Sequence, residues 1–321
     1  MDKRNNKLNL PIPGDIELVE CVDIDNQGYG VSKFKEWVFI TPNFIPGEMA
    51  SVRIEYKSGS RWVTSVIDFI RTSPNRTLPK CDHANDCGSC SIQHINLIEQ
   101  WNLKIKHLED CMLRIGKIKI KIDQQFQGDI KYGDYRNRAI IPMELSNSHI
   151  VQFGYYKSKS QDIVDIDNCL VLDKRINKYL LIIKSNLQEL LNKSQLTYNL
   201  INSIKHICFR IGHNTGEILI TIVSNKSNIT ILRMLSQNWI EQYPEIVGIV
   251  LNIQPYDTNV IFGRKSILLA GKDTIREVFL GITYELSSTI FFQNNPYKAQ
   301  LIISYIVEVF RNSSVSIGKI I

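Results

Sequence analysis

Four cysteines constrain this chain more than any other feature: Cys81, Cys87 and Cys90 in CDHANDCGSC, and Cys169 in IVDIDNC. The spacing C-x5-C-x2-C plus one remote cysteine offers four thiolates from two segments, enough to close a metal site. Thiolates suit zinc and iron–sulfur clusters, and four ligands leave no position for water, as in a closed structural or electron-storing centre. Disulfide pairing is the alternative reading. Gly88 has no Cβ, so the backbone there could approach metal-bound sulfurs closely.

The compartment argument favours a metal. The start of the chain, MDKRNNKLNLPIPGD, has no apolar core of the kind a signal peptide needs. No stretch approaches the roughly 18 consecutive apolar residues of a membrane span. These features point to the cytoplasm and to no membrane partner. There thiols stay reduced, and clustered cysteines bind metal or do chemistry. Cys21, Cys111 and Cys208 are scattered and read as bystanders.

A chain of 321 residues should form two or three domains. The net charge of +6 and pI near 8.8 permit a polyanionic partner without demanding one. Basic residues gather between 100 and 160, in KIKIK, YRNR and YYKSK, interleaved with Tyr132, Tyr135, Tyr155 and Tyr156. That mixture suits RNA, because cations meet phosphates while aromatic rings stack on bases.

Short alternating runs over residues 14–70, broken by DNQGYG, NFIPGE and KSGS, predict a small β-barrel. The polar stretch RTSPNRTLPK makes a boundary before the cysteines. Apolar residues at helical spacing predict a helix over 92–115, ending at Gly116. Residues 130–290 read as mostly β, with helices around 173–193 and 228–241 and a hairpin turn at GHNTGE. A last amphipathic helix spans 295–312, and SVSIGKII reads as the start of a strand.

Taken together, these segments resemble the RNA (uracil-5-)-methyltransferases, most closely the RumA/RlmD type that modifies large-subunit ribosomal RNA. The matching stretches run in order: GYGVSKFKEWVFITPNFIPGE, CDHANDCGSCSIQHINLIEQWNLKIKHLE, YRNRAIIPM, GYYKSKSQDIVDIDNC, HICFRIGHNTGE and FFQNNPYKAQLI. The resemblance implies an α+β multidomain protein in three parts. Residues 1–75 would be an OB-like RNA-binding barrel (TRAM) and 76–290 a mixed, β-rich central domain carrying an iron–sulfur cluster. Residues 291–321 would be only the start of a Rossmann-like methyltransferase domain, on which the 92–115 helix would pack. It assigns Cys81, Cys87, Cys90 and Cys169 to a [4Fe–4S] cluster, with zinc as the alternative metal. Gln293 of FFQ would contact S-adenosylmethionine, beside Asn295, which also suits a helix cap.

For RNA contact, Lys33, Arg53 and Arg61 on the barrel and Arg136 and Arg138 in the central domain are the candidates, since guanidinium grips phosphate bidentately and stacks on splayed bases. The implied partner is 23S ribosomal RNA, bound by a monomer. Ribosomal RNA is favoured over tRNA because, in the resembled family, barrel and cluster accompany the ribosomal branch. Departures from the pattern are Ser89 in CGSC, Gln161 after Ser160, and Ile290 before FFQ. The larger departure is the end at Ile321. The resembled family places its cofactor-binding glycines, nucleophilic cysteine and catalytic base further on, so a C-terminally truncated member, inactive alone, is expected. A non-catalytic RNA-binding iron–sulfur protein is the alternative. A radical S-adenosylmethionine methylthiotransferase fits poorly, because it needs C-x3-C-x2-C and carries its barrel at the other end.

Overall fold

The computed structural model describes residues 10–122, 133–227 and 229–312, and these fall into two compact units. The first comprises residues 10–84 and 90–122, the second residues 85–89 together with 133–312. Tyr132 and the SVSIGKII segment, both singled out above, lie outside the described residues.

Five strands close the barrel of the first unit: β1 (Ile16–Ile24), β2 (Gly30–Phe34), β3 (Trp37–Thr41), β4 (Met49–Ser58) and β5 (Arg61–Arg71). Their order around it is β1-β2-β3-β5-β4, and all neighbours are antiparallel except β3 and β5. Alternation makes the barrel. In β4, Ala50, Val52 and Ile54 point inward, joining Val19, Phe39, Phe44 and Trp62, while Arg53 and Glu55 face water. Glu48 is fully buried beside this core. It accepts hydrogen bonds from the Ile45 and Ser73 amides at 3.0 and 3.3 Å and from Arg76 Nη2 at 2.7 Å.

Helix α1 (Leu97–Arg114) starts at Asn96, whose side chain accepts from the Glu99 amide at 2.9 Å. The resemblance implied that this helix, within the central part, packs on a methyltransferase domain. In the described residues its Leu103 packs with Ile45 and Ile95 of the barrel unit, and Lys106 pairs with Asp23 of β1. Ile98, Leu108 and Leu113 remain exposed.

The second unit is built on a seven-stranded sheet of order β12-β11-β10-β9-β6-β7-β8. In chain order its elements begin with β6 (Arg138–Leu145), β7 (Val151–Tyr156), β8 (Ile163–Asp165), α2 (Lys174–Leu191) and α3 (Gln195–Ile201). They continue with β9 (Ile204–Ile211), β10 (Ile218–Ser224), α4 (Ile229–Gln242), β11 (Ile246–Ile253) and β12 (Lys265–Gly271). The central strand β10 is buried along its whole length, which is why ILITIVS is an almost continuous apolar run. Helix α2 turns Ile176, Tyr179, Leu180, Ile183 and Leu187 onto one face, and α4 forms the crossover between parallel β10 and β11. The hairpin β13 (Thr274–Phe279) and β14 (Ile282–Ser287) packs Ile275 and Leu286 with Leu219 and Val250 in a separate small cluster. Helix α5 (Pro296–Asn312) buries Pro296 and Ala299, whereas Ile302, Ile303, Ile306 and Phe310 are exposed.

Candidate functional site

The four cysteines are all free thiols of intermediate exposure. Cys81 and Cys90 belong to the first unit, Cys87 and Cys169 to the second. Within the second unit Cys87 and Cys169 pack against the same apolar core. Cys87 is held by a bridge to Lys157, and the Gly88 amide donates to the Tyr156 carbonyl at 2.9 Å. A Cβ at Gly88 would sit 2.9 Å from the Ser158 amide nitrogen and 3.0 Å from the Tyr156 oxygen. The glycine therefore admits the close approach of the backbone at Tyr156 and Ser158. Cys169 is fixed by a residue the sequence reading missed. Its amide donates to Asn177 Oδ1 at 3.0 Å, and Asn177 Nδ2 donates to its carbonyl at 3.1 Å. Among the described residues, no three His, Cys, Asp or Glu side chains converge into a group that could hold a metal ion.

The other two core cysteines behave differently. Burial pushes the thiols of Cys21 and Cys208 up to about 12, so both stay protonated at neutral pH. These are apolar packing groups.

The FFQ segment is set by β6 and β9. Arg138 opens β6 and lies directly across the antiparallel ladder from Arg210 of β9. Arg138 Nη2 donates to the Ser288 carbonyl at 2.9 Å, Arg210 Nη2 to the Ile290 carbonyl, and the Asn137 amide to the Asn294 carbonyl at 3.2 Å. Three anchors thus hold residues 288–294 against the ends of these two interior strands. Asn295 then caps α5, accepting from the Lys298 amide at 3.1 Å. Gln293 stands exposed just before that cap. Arg136 is exposed. Its backbone is laced to Val171 and Asp173, and its Nε donates to the Arg138 carbonyl at 3.2 Å.

On the barrel, Lys33 and Arg61 flank Val38 on neighbouring strands, so the register puts both in one exposed row. Arg53 is exposed elsewhere, opposite Ser65. Arg61 shares its charge with Asp25 at 3.7 Å. The sequence reading passed over Lys57, whose ammonium lies 5.6 Å from the ring centroid of Trp37 and 6.0 Å from that of Trp62. Trp62 is buried in the barrel core and Trp37 packs against it, so Lys57 sets a cation over that core.

No protein-family model matches the chain. An uncharacterized RNA methyltransferase of Parasynechococcus marenigrum is 36% identical over 302 residues, covering 92% of this chain and 63% of the relative. One from Synechocystis is 31% identical over 310 residues, covering 95% of this chain and 66% of the relative. One from Listeria monocytogenes is 29% identical over 301 residues, covering 94% and 64%. The chain thus spans just under two thirds of these relatives. Among solved structures, the tRNA (uracil-54, C5)-methyltransferase of Pyrococcus abyssi in complex with S-adenosyl-L-homocysteine shares the fold. Its TM-score is 0.64 at 21% identity, over 91% of this chain and 65% of that one. With relatives matched over more than nine tenths of its length, the chain is similar to uncharacterized RNA methyltransferases, and its barrel and seven-stranded sheet share the fold of a uracil-5 enzyme.

Proposed function

We propose that the protein serves the S-adenosylmethionine-dependent C5-methylation of a uridine in 23S ribosomal RNA. This chain would contribute RNA-gripping surfaces and one edge of the cofactor pocket. The observation that carries the reading is the anchored segment 288–295, which presents Gln293 at the head of α5 while Asn295 satisfies the helix end. An exposed amide fixed at both flanks suits a polar cofactor edge. S-adenosylmethionine, when bound, supplies the methyl group.

Uracil C5 becomes nucleophilic only after a thiolate adds to C6, and a base must then remove the C5 proton. The thiolate must form near neutral pH, which rules out Cys21 and Cys208, held near 12. Arg136 and Arg138, with Lys33, Arg53 and Arg61 on the barrel, would grip the phosphates that position the target loop. The same reading gives Cys81, Cys87, Cys90 and Cys169 to a [4Fe–4S] cluster, zinc being the alternative. What supports it is their contrast with the buried thiols, since all four keep partial access. The cluster would organise the 81–90 loop and take no part in methyl transfer.

A tRNA substrate is the second reading. The Pyrococcus enzyme is a tRNA methyltransferase, yet its match extends over 91% of this chain. A barrel therefore does not by itself mark the ribosomal branch. Binding of the anaerobically purified chain to 23S rRNA fragments and to tRNA separates the two. Tighter, salt-sensitive retention of the rRNA fragments is expected, with iron and acid-labile sulfide present in equal amounts. A preference for tRNA would shift the assignment to the second reading, and retention of neither would remove RNA as the substrate.

A further inference from the structure

Arg210 is only 3% exposed and has no ion-pair partner among the described residues. Its Nη2 is used by the Ile290 carbonyl, but its Nε has no hydrogen-bond partner. Opposite it across the ladder sits a second guanidinium, Arg138, again without a carboxylate. Arg138 is half-buried, with Phe262 centred 6.0 Å beneath it. Arg136 adds a third cation, exposed and reaching the Arg138 carbonyl. Like charges placed directly opposite on neighbouring strands destabilise a sheet, and a buried cation is ordinarily paired. Among the described residues three buried carboxylates are paired, Glu48 with Arg76, Asp173 with Arg175 and Glu217 with Arg276, and Glu277 takes the His213 and Asn214 amides. Three arginines converging without an acid are what an external anion would neutralise. Burial also draws the Arg138 and Arg210 guanidiniums downward, Arg210 to about 10, as expected for cations that lack a counter-charge.

We propose that Arg136, Arg138 and Arg210 form an anion site that seats one phosphodiester of the substrate RNA, and that the same guanidiniums hold Gln293 in register with that phosphate through Ser288 and Ile290. The assignment of the anion to RNA rests on the function proposed above. Arg136 and Arg138 would make the contacts, since they reach solvent. Arg210 would be a positioning residue, placing fixed positive charge behind them and tethering the loop. A phosphate bound there sits on the strand pair that carries the Gln293 segment, so RNA docking and the cofactor edge share one support.

The test uses the full 321-residue chain and two probes. Inorganic phosphate is compared with chloride at matched ionic strength by thermal unfolding, and a single-stranded, uridine-containing RNA is titrated over a salt series. Wild type should melt higher in phosphate, and Arg138→Gln should lose most of that increment. In the RNA titration, Arg136→Gln and Arg138→Gln should each lower the slope of log affinity against log salt by about one. Arg138→Lys, which keeps charge but loses the fork, should retain the slope and weaken binding. Because Arg210 is buried, the two exposed-side variants keep the test valid if Arg210→Met fails to fold. RNA binding with unchanged slopes and no variant-dependent phosphate effect would overturn the site and leave the RNA reading standing. A phosphate effect lost in Arg138→Gln, in a chain that binds no RNA, would reduce the site to one for free phosphate and overturn its assignment to RNA.

Discussion

Glu48 in the barrel unit and Arg210 in the sheet unit are both withdrawn from water, at 0% and 3% exposure, but their surroundings are opposite. Glu48 takes two backbone amides and the guanidinium of Arg76, so each carboxylate oxygen is satisfied and the turn after Phe44 is tied to the start of the linker at Ser73. Arg210 has one carbonyl and faces another arginine. A buried ion that is fully paired behaves as a structural clamp. A buried ion left with a like-charged neighbour marks a place where the folded chain is not complete without a ligand. The barrel uses its buried charge to hold itself together, and the sheet holds its own in readiness.

The largest expected effect breaks the paired case. Arg76→Ala should destabilise the barrel unit by about 3–5 kcal/mol in urea unfolding, because it strands the Glu48 carboxylate in the core. A loss under about 1 kcal/mol would mean the clamp is ornamental.

Acid titration sharpens the comparison through one histidine in each unit. Burial pushes His94 down to about 4, helped by the positive charge of Arg76, and burial pushes His206 down to about 4 as well. Both are therefore neutral in the folded state while the unfolded chain takes up protons near 6.5. Stability is fully present above pH 6.5 and falls as pH drops towards 4, by on the order of 2 kcal/mol for each histidine. His94→Gln and His206→Gln should each flatten that limb of a pH-stability curve. An unchanged slope in either would show that its imidazole titrates normally.

The unpaired case should give the smallest change in stability. Arg210→Met removes a cation without stranding an acid, so the melting temperature should stay within the shift of about 1 kcal/mol or rise. A loss as large as that of Arg76→Ala would make Arg210 a structural clamp too. Thiol labelling at pH 8 sets the cysteines apart in the same way. Cys21 and Cys208 should stay unmodified in the metal-free folded chain, held near 12, while Cys81, Cys87, Cys90 and Cys169 react.

Much of the fold was legible because its signals are local. Alternation in SVRIEY and WVTSVIDFI marked barrel strands, and the apolar spacing of 173–193 anticipated α2 at Lys174–Leu191. Helix α3 escaped notice because it is seven residues long and its capping box closes with Thr197 on Ser194 in place of the usual Glu or Gln. The site was legible only in part, for the same reason. Arg138 stood out in YRNR as a surface cation, but its partner lies in HICFRIG, a segment that reads simply as a strand. Only the β6–β9 register brings the two together and buries Arg210. The approach of Gly88 to Ser158 was not legible because the two lie 70 residues apart in sequence, and no local pattern encodes that contact.

The most direct measurement is mass-spectrometric mapping of 5-methyluridine in 23S rRNA and tRNA from cells with and without the gene. The account predicts that one C5-methylated uridine disappears from 23S rRNA and returns when the gene is restored. Loss confined to tRNA, or no change in either RNA, would contradict it.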